Sequence, residues 1–132
     1  MSGVKLTDIV EKMNLKNLTP EVDITEREVL VPDVNRPALQ LAGFFDHFDL
    51  NRVQIIGNVE CAYLETLTEE RRLEIYQKLL EHKVPCIIFS NELQPDESFL
   101  EFAEKNDISV FGTCKKTSSF MGELIRWMNV KL

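Results

Sequence analysis

The densest collection of groups that could do chemistry lies in Pro32-Asp33-Val34-Asn35-Arg36-Pro37, where two prolines bracket an acid, an amide and a guanidinium. A proline-held loop presents side chains rigidly, and a guanidinium grips a carboxylate or phosphate with two parallel hydrogen bonds. The plainer reading, preferred on these residues alone, is a structural turn in which Asp33 and Asn35 satisfy local backbone and Arg36 pairs with an acid. Gly57-Asn58 sits where an apolar run gives way to a helical pattern, a place where free N–H groups can hold an anion. Gly112-Thr113 before Lys115-Lys116 is a similar loop with two cations nearby. Both read first as turns. If such loops meet at strand ends, Asn35, Arg36, Gln54, Asn58 and Glu60 form one candidate binding site for a sugar phosphate or nucleotide.

Catalytic patterns are weaker. His47 stands among Phe44, Phe45, Asp46, Phe48 and Asp49, and His82 stands near the end of a helical pattern; neither belongs to a Gly-x-Ser-x-Gly or similar constellation. The acidic pairs Glu69-Glu70 and Asp96-Glu97 fall in first helical turns, where the dipole accounts for them. The chain contains no Gly-x-x-x-x-Gly-Lys-Ser/Thr and no Gly-x-Gly-x-x-Gly. Cys61, Cys86 and Cys114 are widely spaced, without a Cys-x-x-Cys or Cys-x-x-His pair. No catalytic residue, metal ligand or resident cofactor is therefore assigned, and a stand-alone enzyme would need groups that no motif here supplies.

The elements that must position these residues follow from periodicity. Leu6, Ile9, Val10 and Met13 predict a first helix, with Thr7 placed to cap and Asn14 to stop it. Glu28-Val29-Leu30-Val31 reads as a short strand ended by Pro32. Arg36 is extended because the following proline disfavours helical geometry, and Pro37 opens a short helix through Ala42 to Gly43. Val53 to Ile56 is a strand closed by Gly57, with Asn58 capping a helix through Cys61, Leu64 and Leu67. Thr68 caps a longer helix to His82, buried through Leu73, Tyr76, Leu79 and Leu80, with Glu74 and Lys78 paired on its wet side. Cys86 to Phe89 is apolar throughout, as suits a strand covered on both faces. A helix from Pro95 to near Asn106, a strand Ile108 to Phe111 and a final helix capped by Thr117, with Met121, Leu124, Ile125 and Met128 on one face, complete the chain. Three successive strand–helix units predict an α/β single domain with a mostly parallel sheet flanked by helices.

Composition sets the outer bounds. With 132 residues, one domain is the default. Fifteen basic against 22 acidic residues give a net charge of −7, which argues against a nucleic-acid binder or an anionic membrane surface as partner. No apolar run approaches a membrane span, and the beginning of the chain has no signal-peptide pattern, so a cytoplasmic setting is expected.

Two blocks carry a specific resemblance: Val31-Pro32-Asp33-Val34-Asn35-Arg36-Pro37-Ala38-Leu39-Gln40-Leu41-Ala42-Gly43-Phe44-Phe45, and Arg52-Val53-Gln54-Ile55-Ile56-Gly57-Asn58-Val59-Glu60. Together with Pro85 to Ser90 and Thr113 with Lys116-Thr117-Ser118, they resemble the N-terminal domain of bacterial HPr kinase/phosphorylase, with Ala38 standing where that family is expected to have Gly. The resemblance implies a regulatory or assembly domain spanning 1–132. It also implies a fold akin to the first domain of the muramyl-peptide ligases. A second, C-terminal domain would then carry the phosphate loop, bind ATP and magnesium, and phosphorylate or dephosphorylate a serine of the phosphocarrier HPr in carbon catabolite control. That domain, HPr and further copies in a homo-oligomer would be the partners. None of the family's catalytic residues falls on a position here. The alternative is a stand-alone small-molecule binding domain, for which Arg36→Ala is expected to weaken binding and leave the fold intact.

Overall fold

A computed structural model describes residues 3–132. Its centre is a sheet built from four parallel strands, β4 (Val34–Asn35), β5 (Val53–Ile56), β6 (Ile87–Phe89) and β7 (Val110–Gly112). A further strand, β2 (Lys16–Asn17), runs antiparallel along β7, giving the order β2-β7-β6-β5-β4. Register is set by Asn35 opposite Gln54, Ile55 opposite Ile88 and Ile88 opposite Phe111.

Side chains alternate across a strand, so each inner strand feeds two cores. Val53, Ile55, Cys86, Ile88 and Phe111 point to one face. There they meet Leu6, Ile9 and Met13 of α1 (Leu6–Lys12) and Phe120, Leu124 and Met128 of α6 (Thr117–Lys131). Ile56, Ile87, Phe89 and Val110 point to the other. That face is covered by α2 (Ala38–Leu41), α3 (Asn58–Glu65), α4 (Glu69–Leu80) and α5 (Glu97–Lys105), through Leu41, Leu64, Tyr76, Leu79, Phe99 and Ala103. Tyr76 and Phe89 each meet the Phe99 ring edge to face, at 5.2 and 5.3 Å between centroids. The sandwich of helix, sheet and helix is the α/β single domain that the strand–helix repetition predicts.

Local differences have local reasons. The segment near Val29 does form a strand, β3 (Glu28–Val29), but it pairs with β1 (Val4–Lys5) in a separate two-stranded ladder and takes no part in the main sheet. Strands β2 and β4 escape the periodic pattern because each has two residues and neither is an apolar run. Three caps fall one or two residues before the polar residue expected to supply them. Lys5 rather than Thr7, Gly57 rather than Asn58, and Lys116 rather than Thr117 precede their helices. Thr68 does cap α4, accepting the Arg71 N–H, but that helix ends at Leu80 rather than His82. Glu74 lies 3.9 Å from Arg71, an ion pair one residue shorter in spacing than the expected one with Lys78. At the other expected stops, Asn14 and Gly43 take positive φ values of 52° and 100°.

Candidate functional site

In an open parallel sheet the loops leaving the carboxyl ends of the strands share one crevice. Here Arg36 follows β4, Asn58 and Val59 follow β5, Asn91 follows β6, and Lys116, Thr117 and Ser118 follow β7; together they line one open depression of about 400 Å³. Gly57 lies beneath it. A Cβ at this position would stand 2.7 Å from Thr117 Oγ1, 2.8 Å from Arg36 Nη2 and 3.3 Å from Ser90 Oγ. Contact favours glycine there, and conformation does not, since its φ of −119° is open to any residue.

Hydrogen bonds tie the four loops in two pairs. Arg36 Nη2 donates to Glu60 Oε1 at 2.6 Å, and that oxygen also accepts the Gly57 N–H at 2.7 Å. Glu60 is 2% exposed, so the guanidinium compensates a charge that burial would otherwise make costly. The Thr117 hydroxyl lies 2.6 Å from Ser90 Oγ and accepts from Asn91 Nδ2 at 2.9 Å. Asn91 N–H donates to the Lys115 carbonyl at 2.8 Å, and Glu92 N–H to that of Thr113 at 2.9 Å, joining the loops after β6 and β7.

The five residues singled out in the sequence are thus divided. Arg36 and Asn58 line the depression, and Glu60 lies under it as the partner of Arg36. Asn35 and Gln54 belong elsewhere: Asn35 Nδ2 donates to Gln54 Oε1 at 2.7 Å and to Gln40 Oε1 at 3.1 Å, while Gln54 Nε2 donates to the Arg52 carbonyl. Gln54 is fully buried, and this amide chain joins β4 and β5 to α2. Asn91 and Ser90 went unread, although the strand-end rule applied to the apolar run ending at Phe89 would have found them. The pairing argues against the expectation that Arg36→Ala leaves the fold intact, because Glu60 would be left buried and alone.

Other groups that could do chemistry are occupied or blunted. His82 stacks on Phe45 at 4.6 Å and meets Phe48 edge to face at 5.3 Å. Its Nδ1 lies 2.9 Å from the Lys78 carbonyl oxygen, which can only accept, so that nitrogen carries a proton. A small cavity of about 130 Å³ holds Cys61, Tyr76, Arg72 and Asp96. Tyr76 donates to Asp96 Oδ2 at 2.5 Å. Burial, with Glu60, Glu65 and Asp96 nearby, pushes the Cys61 thiol up to about 11. Burial and the Asp96 bond push the Tyr76 phenol well above its ordinary range. Both stay protonated near neutrality, which suits neither to nucleophilic attack. A wider groove of about 780 Å³ between α1 and α6 mixes Asp8, Glu11 and Glu28 with Lys5, Lys12 and Lys131, and gathers no single chemistry. Among the described residues, no three His, Cys, Asp or Glu side chains come close enough to hold a metal ion.

The model for the HPr serine kinase N terminus matches residues 4–128. This chain belongs to that family. Relatives of this HPr serine kinase N-terminal sequence include the HPr kinase/phosphorylase of Lachnoclostridium phytofermentans, 52% identical over 132 residues, covering 100% of this chain and 43% of the relative. That of Caldicellulosiruptor bescii is 40% identical over 124 residues, covering 94% of this chain and 40% of the relative. This HPr kinase N-terminal chain therefore spans less than half the length of the curated relatives it matches. Its fold is shared by part of a solved chain comprising the CBS and DRTGG domains of the regulatory region of Clostridium perfringens pyrophosphatase, in complex with the activator diadenosine tetraphosphate. The likeness has a TM-score of 0.53 at 20% identity, over 92% of this chain and 46% of that one. No helix among the described residues is long and apolar enough to cross a membrane.

Proposed function

We propose that this chain is the N-terminal module of a bifunctional HPr kinase/phosphorylase, acting in the cytoplasm by regulation or assembly, with the chemistry carried by a second, C-terminal domain. The observation that carries this reading is the alignment of the whole chain with 43% of a relative bearing that name. On this reading ATP and magnesium are held by the second domain, which would phosphorylate and dephosphorylate a serine of HPr. The present module would contact that domain, HPr or other copies in a homo-oligomer. The disposition of its polar groups supports a role without catalysis: the histidine on α4's end is stacked and bonded, and the half-buried thiol and phenol are held protonated.

The test compares three proteins in the transfer of phosphate from ATP to the serine of HPr: residues 1–132 alone, the longer protein, and the longer protein lacking 1–132. The expected result is no transfer by residues 1–132 alone, transfer by the longer protein, and a truncated protein that keeps the chemistry with altered control or oligomeric state. Phosphate transfer by residues 1–132 alone would overturn the reading, as would a truncation that changes neither control nor assembly.

A further inference from the structure

We infer that the depression at the carboxyl end of the sheet is a binding site for a phosphate monoester. The inference starts from side chains that four separate loops deliver to one place: Arg36, Asn58, Asn91, Lys116 and Ser118. In a chain with a net charge of −7, this set contains two cations, two amides, a hydroxyl and no carboxylate. Two acids close in sequence to its lining residues are accounted for. Glu60 is buried beneath and neutralised by Arg36, and Glu92 lines a different cavity beside Lys16 and Gly112.

Asn91 Nδ2 is given to Thr117, but other donors around the depression are unspent. Arg36 gives Nη2 to Glu60, but its Nε is buried with no partner, and Nη1 donates to no protein atom among the described residues. Lys115 is committed to Glu123 at 2.8 and 3.0 Å, whereas neighbouring Lys116 is exposed and makes no ion pair among the described residues. Helices α3 and α6 both start at the rim without a side-chain cap, so first-turn N–H groups of Asn58, Val59, Thr117 and Ser118 lack an intrahelical acceptor. Absence of a side chain at Gly57 leaves the space beside it that Arg36 Nη2 and Thr117 Oγ1 border.

The number and direction of donors choose the ligand class. A carboxylate offers two oxygens in one plane and would satisfy one loop. The three terminal oxygens of a phosphate monoester can accept from several loops at once, and its charge answers Lys116, with Arg36 Nη1 as a further donor from a pair already neutral. The organic part would lie over Val59, which is 69% exposed at the rim. This deepens the regulatory reading by naming what the module would sense, and it rests on that reading only for its consequence; the binding itself needs no kinase and is measured separately.

The test is a titration of the 132-residue chain, followed by backbone amide resonances, with inorganic phosphate, ribose 5-phosphate, adenosine monophosphate and, as control, ribose. The expected result is saturable movement of the Asn58, Val59, Thr117 and Ser118 amides with at least one phosphate compound and none with ribose. Binding should weaken about tenfold in Lys116→Gln, the loss of one charge-assisted bond, and also in Ser118→Asp, where a like charge repels the ligand. It should hold in Lys12→Gln, which lines the separate groove between α1 and α6. Whichever phosphate compound binds tightest identifies the source of the group. No saturable movement up to about 10 mM, enough to fill a site of millimolar affinity, would overturn the inference. Movement spread over lysines elsewhere, or equal binding by Lys116→Gln and Ser118→Asp, would overturn it as well.

Discussion

One carboxylate oxygen, Glu60 Oε1, receives both the Arg36 guanidinium at 2.6 Å and the Gly57 N–H at 2.7 Å. The first bond fastens the segment after β4 to α3, and the second closes the start of α3 on itself. A buried acid thereby becomes the joint between two strand ends, and Arg36 is a structural group before it is anything else.

Arg36→Ala should therefore destabilise the chain. Losing one partner of a buried pair costs about 3–5 kcal/mol, and partial exposure of the Arg36 side chain brings the expectation down to about 2–3 kcal/mol. The double variant Arg36→Ala/Glu60→Gln removes the stranded charge and keeps an acceptor for Gly57, so it should be more stable than Arg36→Ala alone. Urea denaturation of the single and double variants measures both; equal midpoints would refute the shared role of Glu60.

Gly57→Ala should cost about 1–3 kcal/mol through overpacking, since its new methyl group would press on Thr117, Arg36 and Ser90. Removing the nearest of these atoms in Gly57→Ala/Thr117→Ala should recover part of the loss. Thermal unfolding of the four members of the cycle gives the coupling directly.

The three thiols should report three depths. Cys114 is exposed, Cys61 half-buried and Cys86 buried. A maleimide at neutral pH should label Cys114 in seconds to minutes and Cys61 far more slowly, and it should reach Cys86 only on unfolding. Mass spectrometry of timed digests reads the order, and early labelling of Cys86 would contradict the packing against Ile88 and Phe111.

Alkaline pH should weaken the fold through the same thiols. Burial pushes Cys86 from an ordinary 9.0 up to about 12, and burial first, then nearby acids, pushes Cys61 to about 11. Above pH 9 the unfolded chain releases these protons and the folded chain keeps them, so stability falls as pH rises through about 9 to 12. The slope is at most about 1.4 kcal/mol per pH unit for each thiol. Cys86→Ala should flatten part of that decline in urea midpoints taken from pH 8 to 11, whatever it costs at neutral pH.

How far the sequence could be read follows the length of its signals. The runs Val53 to Ile56 and Cys86 to Phe89, and the spacing of Leu124 and Met128, are long enough for burial to impose a visible period, and they define the layers; the buried stripe of α6 adds Phe120, while the expected Met121 and Ile125 are only partly buried. Lys16–Asn17 and Val34–Asn35 leave no such trace, because two residues held by neighbouring backbone need no apolar pattern of their own. The depression was legible as a set of turns at strand ends, and Arg36 and Asn58 line it. Asn35 and Gln54 share the same chemistry on paper, but strand register carries them to an interior amide chain that no spacing rule distinguishes.

The two outer strands of the main sheet are as short as strands can be. Lys16–Asn17 borders one side with a charged residue, and Val34–Asn35 borders the other between Pro32 and Pro37. Neither margin leaves a run of free amides and carbonyls on which a foreign strand could continue the ladder. The main sheet therefore offers copies of this chain little backbone to pair with, and edge-to-edge growth of that sheet into a fibril is disfavoured at both margins.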